Sequence, residues 1–463
     1  MVDDSNHMIK RIARLIKEKN DLTEHYEQLL KDYERLSEQN DRFRDLIGRI
    51  SPELLEKKIL KPKKKHIKLQ MVTVLLAGIT GWDKLKENVS NEKIMDELDE
   101  IQRTFDKIST KYNIIRIKTI GDTFLCAGGI PDKNMTNPVD VVMASIEMMN
   151  FVECKVIEKN WNIPWGLKIG IHTGPVSAIV TGKRKLNYDI KGDTVNIASR
   201  LESIAEQGNI FISVATNELV KEFFNSDYSG KIPVKYRGDL EIFKVRGILP
   251  ELAVDTEGRI QNTRFQTRFG LLQFTDIQEI ILDRLEKKLP KFLYYHNVKH
   301  TVDVVTQAEL IGLAEGVNDE ELLMLKLAAV FHDAGHMISY DHHEEQGCLM
   351  VQKYLPKFGY SEMQISKICE LIMATKMPPN PKNLLEQIMC DADLDYLGRI
   401  DMIPVSNTLY KELKEQNKIE SLDEWNRLQI KFISGHQYFT KTARNLREVN
   451  KQKQIERIKN LLP

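Results

Sequence analysis

The sequence offers no excess charge of either sign: its 463 residues carry 67 Lys+Arg against 67 Asp+Glu. A balanced chain exerts no global pull on nucleic acid or on an anionic membrane surface, so neither is expected as a partner. Cysteine is scarce and odd in number, five in all, with no CxxC pair. That excludes a disulfide framework and a cysteine-zinc site, and fits a reducing compartment. The opening residues MVDDSNHMIKR are acidic and polar where a secretion signal needs a basic start and an apolar run. No stretch approaches the roughly 18 consecutive apolar residues of a membrane helix. The expectation is a cytoplasmic protein.

Three segments succeed one another. In residues 8–51, Leu15, Leu22, Leu29, Leu36, Phe43 and Ile50 recur every seventh position, with Ile12, Lys19, Tyr26, Tyr33, Asn40 and Ile47 between them. Leucine-rich d positions with a lone Asn at a predict a parallel two-stranded coiled coil, hence a homodimer. Ser51-Pro52 interrupts the helix pattern, and residues 52–70, with the basic run KPKKKHIK, read as a linker. From 71 to 252 strand-like and helix-like runs alternate in the order β-α-β-β-α-β, which predicts a ferredoxin-like α/β sandwich. Residues 253–269 are polar and read as a second linker. Helix periodicity dominates 270–463, with Leu322–Phe331, Ile365–Ala374 and Leu384–Cys390 as apolar runs between breakers. The fold class expected is therefore multidomain: a coiled coil, an α/β domain and an all-α domain.

The middle segment contains KTIGD (Lys118–Asp122), GIHTG (Gly170–Gly174) and YDIKGDTVNIASRLE (Tyr188–Glu202). In this order the motifs resemble the catalytic domain of class III adenylate/guanylate cyclases, over residues 66–252. The resemblance implies attack of a ribose 3′-hydroxyl on an α-phosphate, with Mg or Mn polarising the phosphate. It makes Asp122 a metal carboxylate, while Asn196 and Arg200, four apart on one helix face, hold ribose and phosphate. Lys235 matches the triphosphate lysine. Lys118 and Asp189 occupy the base-reading positions, in the form that pairs with adenine, which implies ATP over GTP. One position departs from the family: its first strand ends in a second metal carboxylate, and this strand reads LLAGI, with Gly78 there. Loss of a metal ligand costs more than the roughly 10–100-fold of an outer partner. Asp83 lies too far along to replace it.

The last segment carries YHNVKH, FHDAGH, DHHEE and CDADLDYLG, and more than half of the chain's eleven histidines fall in the first three. His296 and His300, and His332 and His336, stand four apart. Mixed imidazole and carboxylate groups suit Mn, Fe, Zn, Mg or Ni. These motifs resemble the HD phosphohydrolase superfamily, over residues 270–463. By that resemblance His300, His332, Asp333 and Asp393 bind the main metal, Asp393 being preferred to Asp391 because Ala392 precedes it. His336 and His343 serve a second metal or the phosphate. The YHNxxH form also resembles cyclic nucleotide phosphodiesterases, which makes His296 the acid that protonates the leaving oxygen. Trp425, His436 and Tyr438 read as core, and Met377-Pro378-Pro379 as a turn.

Together these features predict a cyclic nucleotide signalling enzyme. An adenylate cyclase-like domain, weakened by Gly78, is coupled to a metal-dependent HD phosphohydrolase or phosphodiesterase whose phosphoester substrate the sequence leaves open. The alternative is an HD phosphohydrolase regulated by a degenerate cyclase-like domain that senses a nucleotide.

Overall fold

The computed structural model describes residues 65–81, 90–158, 165–181, 187–234 and 238–462. The heptad segment, most of the first linker, Asp83 and Lys235 lie outside them. Among the described residues, those within 65–68 and 177–190 form one unit and those within 69–176 and 191–462 another.

Strand β1 (Lys65–Thr80) is followed by α1 (Asn91–Lys111), β2 (Ile115–Ile120), β3 (Thr123–Gly128), α2 (Asn137–Ile157) and β4 (Gly166–Thr181). This is the expected β-α-β-β-α-β order. It continues with β5 (Asn187–Lys191), α3 (Asp193–Ile204), β6 (Ile210–Ser213), α4 (Val214–Val220), β7 (Phe224–Val234) and β8 (Gly238–Ile248). The sheet runs β2-β3-β1-β4-β6-β8-β7, with β5 paired to β4. β1 is antiparallel to β3, placing Gly78 opposite Thr123. β4 and β6 are parallel, and the sheet closes with the antiparallel β8 and β7. β1 is central, so Val72 to Ile79 are all buried, as a strand covered on both faces requires. Its partners across the core include Ile101 and Phe105 of α1 and Val141, Val142 and Met148 of α2.

The helical part comprises α5 (Thr263–Lys288), α6 (Val298–Glu315), α7 (Asp319–Phe331), α8 (His343–Tyr354), α9 (Glu362–Ala374), α10 (Leu384–Asp393), α11 (Met402–Glu415), α12 (Leu422–Gly435) and α13 (Lys441–Lys459). α7 is the central helix. Its run Leu322–Leu325 and Leu327–Phe331 is buried on every side, which is why no amphipathic stripe shows in its sequence.

Residues 253–269, read as a polar linker, are more ordered than that reading. Asp255 accepts the backbone N–H groups of Arg259 and Ile260 at 3.0 and 2.7 Å. Asn262 then caps α5 by accepting from Phe265 N at 3.0 Å. Phe265 packs edge-on against Phe223 and Phe224 inside the sheet domain's core. Farther along the same helix Phe274, Ile277, Ile281 and Leu285 belong to the helical core. One continuous helix is thus anchored in both cores. Where the two parts meet, the buried Asp276 of α5 accepts Met135 N at 2.9 Å with each oxygen.

Candidate functional site

The helical site is assembled at helix ends. Asn297 caps α6, accepting from Lys299 N and His300 N, and so sets His300 in the first turn of that helix. His332 and Asp333 stand where the buried helix α7 ends. A short 3-10 turn, Ala334–Met337, then brings His336 round. Gly335 in that turn lies directly against the backbone of His343, the first residue of α8, at a spot where a Cβ would collide. Asp393 is the last residue of α10.

Four side chains converge. His300 Nε2 lies 3.4 Å from Asp333 Oδ2 and 3.2 Å from Asp393 Oδ1. His332 Nε2 lies 3.1 Å from Asp333 Oδ2, 3.5 Å from Asp393 Oδ1 and 3.4 Å from His300 Nε2. Asp333 turns its other oxygen the opposite way, with Oδ1 at 3.8 Å from His336 Nε2 and 3.6 Å from His343 Nε2. His296, Asp333 and His336 likewise offer ligand atoms within 4.8 Å of one another, as do His300, His332 and Asp393. One carboxylate therefore stands between two clusters.

The ring nitrogens fit a cation better than one another. His332 Nδ1 pairs with Ala329 O at 2.8 Å and His343 Nδ1 with Tyr340 O at 3.1 Å. A carbonyl can only accept, so each Nδ1 carries the proton and each Nε2 turns a lone pair inward. Despite the short separations, Asp333 Oδ2 is buried with no hydrogen bond in line, and neither nitrogen of the buried His336 has one. Orphaned buried polar atoms are costly unless something bonds them. A divalent ion fits this donor set.

The electrostatics agree. Burial alone pushes His300 and His332 down, but Asp333 and Asp393 beside them reverse that and raise both. Burial opposes the charge on Asp333 and Asp393 too, and the facing imidazoles hold both carboxyls well below the usual range. The two acids favour positive charge between them. His336 behaves differently: burial pushes it down to about 3, so its ring is neutral.

Two acidic side chains complete the site without having been singled out in the sequence. Glu412 of α11, fully buried, accepts from Tyr295 N at 3.0 Å and His296 N at 3.2 Å, and its other oxygen lies 2.5 Å from His296 Nδ1. That leaves Nε2 of His296 available to the site. Glu344, also buried, lies 3.4 Å from His343 Nε2. Asp391, weighed above against Asp393, spends its oxygens on Phe439 N, Thr440 N and Thr440 Oγ1 at 2.9, 2.7 and 2.7 Å.

A cavity of about 320 Å³ opens beside these groups, reached by His296, Asp333, His343 and Asp393 and walled by Leu394, Trp425, Leu428, Phe432 and Ile433. Gln429 is the amide in this wall, its Oε1 accepting from Ser406 and its Nε2 lying 3.4 Å from Asn426 Oδ1. Trp425, read as core, is buried and also lines this cavity; His436 and Tyr438 are buried. Met377 lines it too, from a cis Met377–Pro378 turn.

In the sheet domain the named residues are spread over β2, the β2–β3 turn, β5 and α3. Asp122 sits at the β2–β3 turn, where its carbonyl accepts from Ile79 N at 3.1 Å, next to Gly78. Asn196 and Arg200 are exposed on α3, and the Arg200 guanidinium bonds Pro233 O on β7. Lys118 is exposed on β2 and Asp189 is half-buried on β5. Gly78 itself is buried, and a Cβ there would collide with Glu202 Oε1. Glu202 is held in that place by Lys168, with Nζ 3.1 Å away.

The mixed sheet and the helical histidine–carboxylate cluster stand in the two segments that known domain families match. Residues 65–247 match the adenylate and guanylate cyclase catalytic domain, and residues 297–395 match the HD domain. A membrane guanylyl cyclase of Dictyostelium discoideum is 32% identical over 212 residues, 44% of this chain and 14% of that protein. An adenylate cyclase of Mycobacterium bovis is 28% identical over 211 residues, 45% of this chain and 47% of that one. The chain thus spans less than half the length of these curated relatives. Among solved structures, the adenylyl cyclase CyaB from P. aeruginosa is 27% identical, covering 41% of this chain and all of that one, with a TM-score of 0.37. The catalytic core of a rhodopsin-guanylyl cyclase with converted specificity, in complex with ATPalphaS, is also 27% identical, covering 39% and 97%, with a TM-score of 0.35. Among the described residues no helix is long and apolar enough to cross a membrane. Cyclase and HD domains on one chain fit cyclic nucleotide signalling.

Proposed function

We propose that the HD domain hydrolyses nucleotide phosphodiesters and that the cyclase domain binds ATP and cyclises it slowly to cyclic AMP and pyrophosphate. The observation that carries the first half is Asp333, whose two oxygens face two histidine clusters. In this reading His300, His332, Asp333 and Asp393 hold one divalent ion, of Mn, Fe, Zn, Mg or Ni, and His336 and His343 share Asp333 with a second. Bound there, such an ion makes water nucleophilic at neutral pH and offsets charge on the phosphate. His296 holds the proton that the leaving oxygen takes, and Glu412 fixes the tautomer and direction of that ring. The adjoining wall of Trp425, Phe432 and Leu428 suits the flat face of a base, while the Gln429 amide offers a donor and an acceptor to its edge. A cyclic mononucleotide or another nucleoside phosphodiester matches both halves of this pocket.

For the cyclase domain the roles are those the motifs imply. Asp122 serves Mg or Mn, Asn196 the ribose, Arg200 and Lys235 the phosphates, and Lys118 and Asp189 the adenine. Residues 8–51 pair as a parallel coil, so two chains complete each nucleotide site in a cytoplasmic homodimer. Gly78 supports the second reading, a domain that binds nucleotide as a sensor and does not turn it over. Its place is taken by the Glu202 carboxylate, already engaged by Lys168.

The deciding experiment incubates purified protein with ATP and Mn²⁺, and separately with cyclic nucleotides, following products by mass. Cyclic AMP formation abolished by Arg200→Ala supports turnover; ATP binding without product supports the sensor. Hydrolysis and metal content that survive His332→Ala and Asp333→Ala would remove the HD assignment.

A further inference from the structure

Helices α8 and α9 pack side by side, and a cysteine from each meets at the seam. Cys348 Sγ lies 3.6 Å from Cys369 O, and Cys369 Sγ lies 3.8 Å from Cys348 O. Each sulfur therefore sits over the other residue's backbone, a crossed arrangement that sets the two thiols side by side at the seam. Both residues are half-buried, within reach of a small oxidant. The other cysteines are placed otherwise: Cys126 is buried in the sheet, Cys154 is exposed on α2, and Cys390 donates to Ala374 O at 3.1 Å.

We propose that Cys348 and Cys369 are a reversible redox pair that closes to a disulfide when hydrogen peroxide reaches it. The Cys369 thiolate attacks one peroxide oxygen, forming an S–O bond as the O–O bond breaks and hydroxide leaves. The Cys348 sulfur then attacks the Cys369 sulfenic acid. The S–S bond forms, the S–O bond breaks, and a second hydroxide takes up the Cys348 proton and leaves as water. In sum two thiols and one hydrogen peroxide become one disulfide and two waters, and a dithiol reductant reverses the change. The thiols are set for these roles. The hydrogen bond between them pushes Cys348 up and holds Cys369 below the ordinary thiol value, which favours Cys369 as the attacking thiolate.

The bond would join two walls of the hydrolase pocket. The first turn of α8 supplies His343 and Glu344 to the cavity, and Thr375 and Met377, just past α9, line it as well. Glu345 and Lys376 already tie these walls at 2.5 Å.

The test treats the full-length, metal-loaded protein with stoichiometric hydrogen peroxide, alkylates it, and digests it without reductant for mass spectrometry. The expected product is a Cys348–Cys369 linked peptide pair, two hydrogens lighter than the free pair and separated by dithiothreitol, in monomer-sized chains on a denaturing gel. In Cys348→Ser, which preserves size and packing, Cys369 is expected to be trapped by dimedone as a sulfenic acid. Both residues fully alkylated after peroxide, or either one joined to another cysteine or another chain, would overturn the proposal.

Discussion

His296 Nδ1 lies 2.5 Å from Glu412 Oε1, across 116 residues of chain, and the same carboxylate accepts the backbone N–H groups of Tyr295 and His296. A buried acid so engaged does not react; it aims the imidazole. Glu412→Gln keeps the size but weakens that hold. The expected result is a fall in kcat for phosphodiester hydrolysis of about 10–100-fold, the usual cost of an outer partner. KM and bound metal should change little, and His296→Ala should cost more, about 10²–10⁴-fold. Equal metal loss in Glu412→Gln would show a structural role instead.

The cavity wall makes a separable prediction. Phe432→Ala and Gln429→Ala are expected to raise KM for a nucleotide substrate, each lowering kcat/KM by about 10-fold or more, from aromatic contact and from lost hydrogen bonds respectively. Hydrolysis of a small phosphodiester without a base, such as bis(p-nitrophenyl) phosphate, should be less sensitive to Gln429→Ala. Steady-state kinetics on both substrates checks this.

Gly78 and Glu202 compete for one space. Gly78→Asp alone sets a second carboxylate against Glu202 in a buried strand, with an expected loss of about 1–3 kcal/mol. Adding Glu202→Ala should recover most of it, because Lys168 then meets the new acid. Thermal melts of the wild type, single and double variants measure the effect.

Asp140 predicts a pH dependence at the domain junction. Burial, with a contribution from Asp276, pushes its carboxyl up to about 7. The unfolded value is about 3.9, so between these limits the folded chain holds a proton the unfolded chain lacks. Stability therefore falls as pH rises from about 4 to 7, by at most about 1.4 kcal/mol per unit, and the penalty is complete above 7. Asp140→Asn should flatten the decline in melting temperature between pH 5 and 8. A wild-type curve as flat as the variant's would contradict this.

The histidine cage was legible because its chemistry is crowded into short motifs: YHNVKH, FHDAGH and DHHEE spell out residues that meet at Asp333. Glu412 and Gln429 were not, since each lies on an ordinary amphipathic helix where Glu and Gln are common helix formers. Only the return of α11 and α12 over the site gives them meaning. Trp425 looked like core for a sound reason, being buried, and its second role as cavity wall depends on which neighbours stop short of it. The α/β order was readable from the strand and helix runs through β4. The stretch 253–269 hid its order because Asp255 and Asn262 make it polar while fastening the backbone. Gly78 was visible as a missing ligand; that Glu202 fills its place needed the packed sheet.

The central claim is that Asp333 holds divalent metal between two histidine clusters and that this metal drives phosphodiester hydrolysis. Metal content by elemental mass spectrometry, measured beside cyclic nucleotide hydrolysis on the same samples of wild type and Asp333→Ala, tests it most directly. Wild type should carry divalent metal and hydrolyse, and Asp333→Ala should lose both while remaining folded by circular dichroism. Metal and hydrolysis retained together in Asp333→Ala would contradict the account.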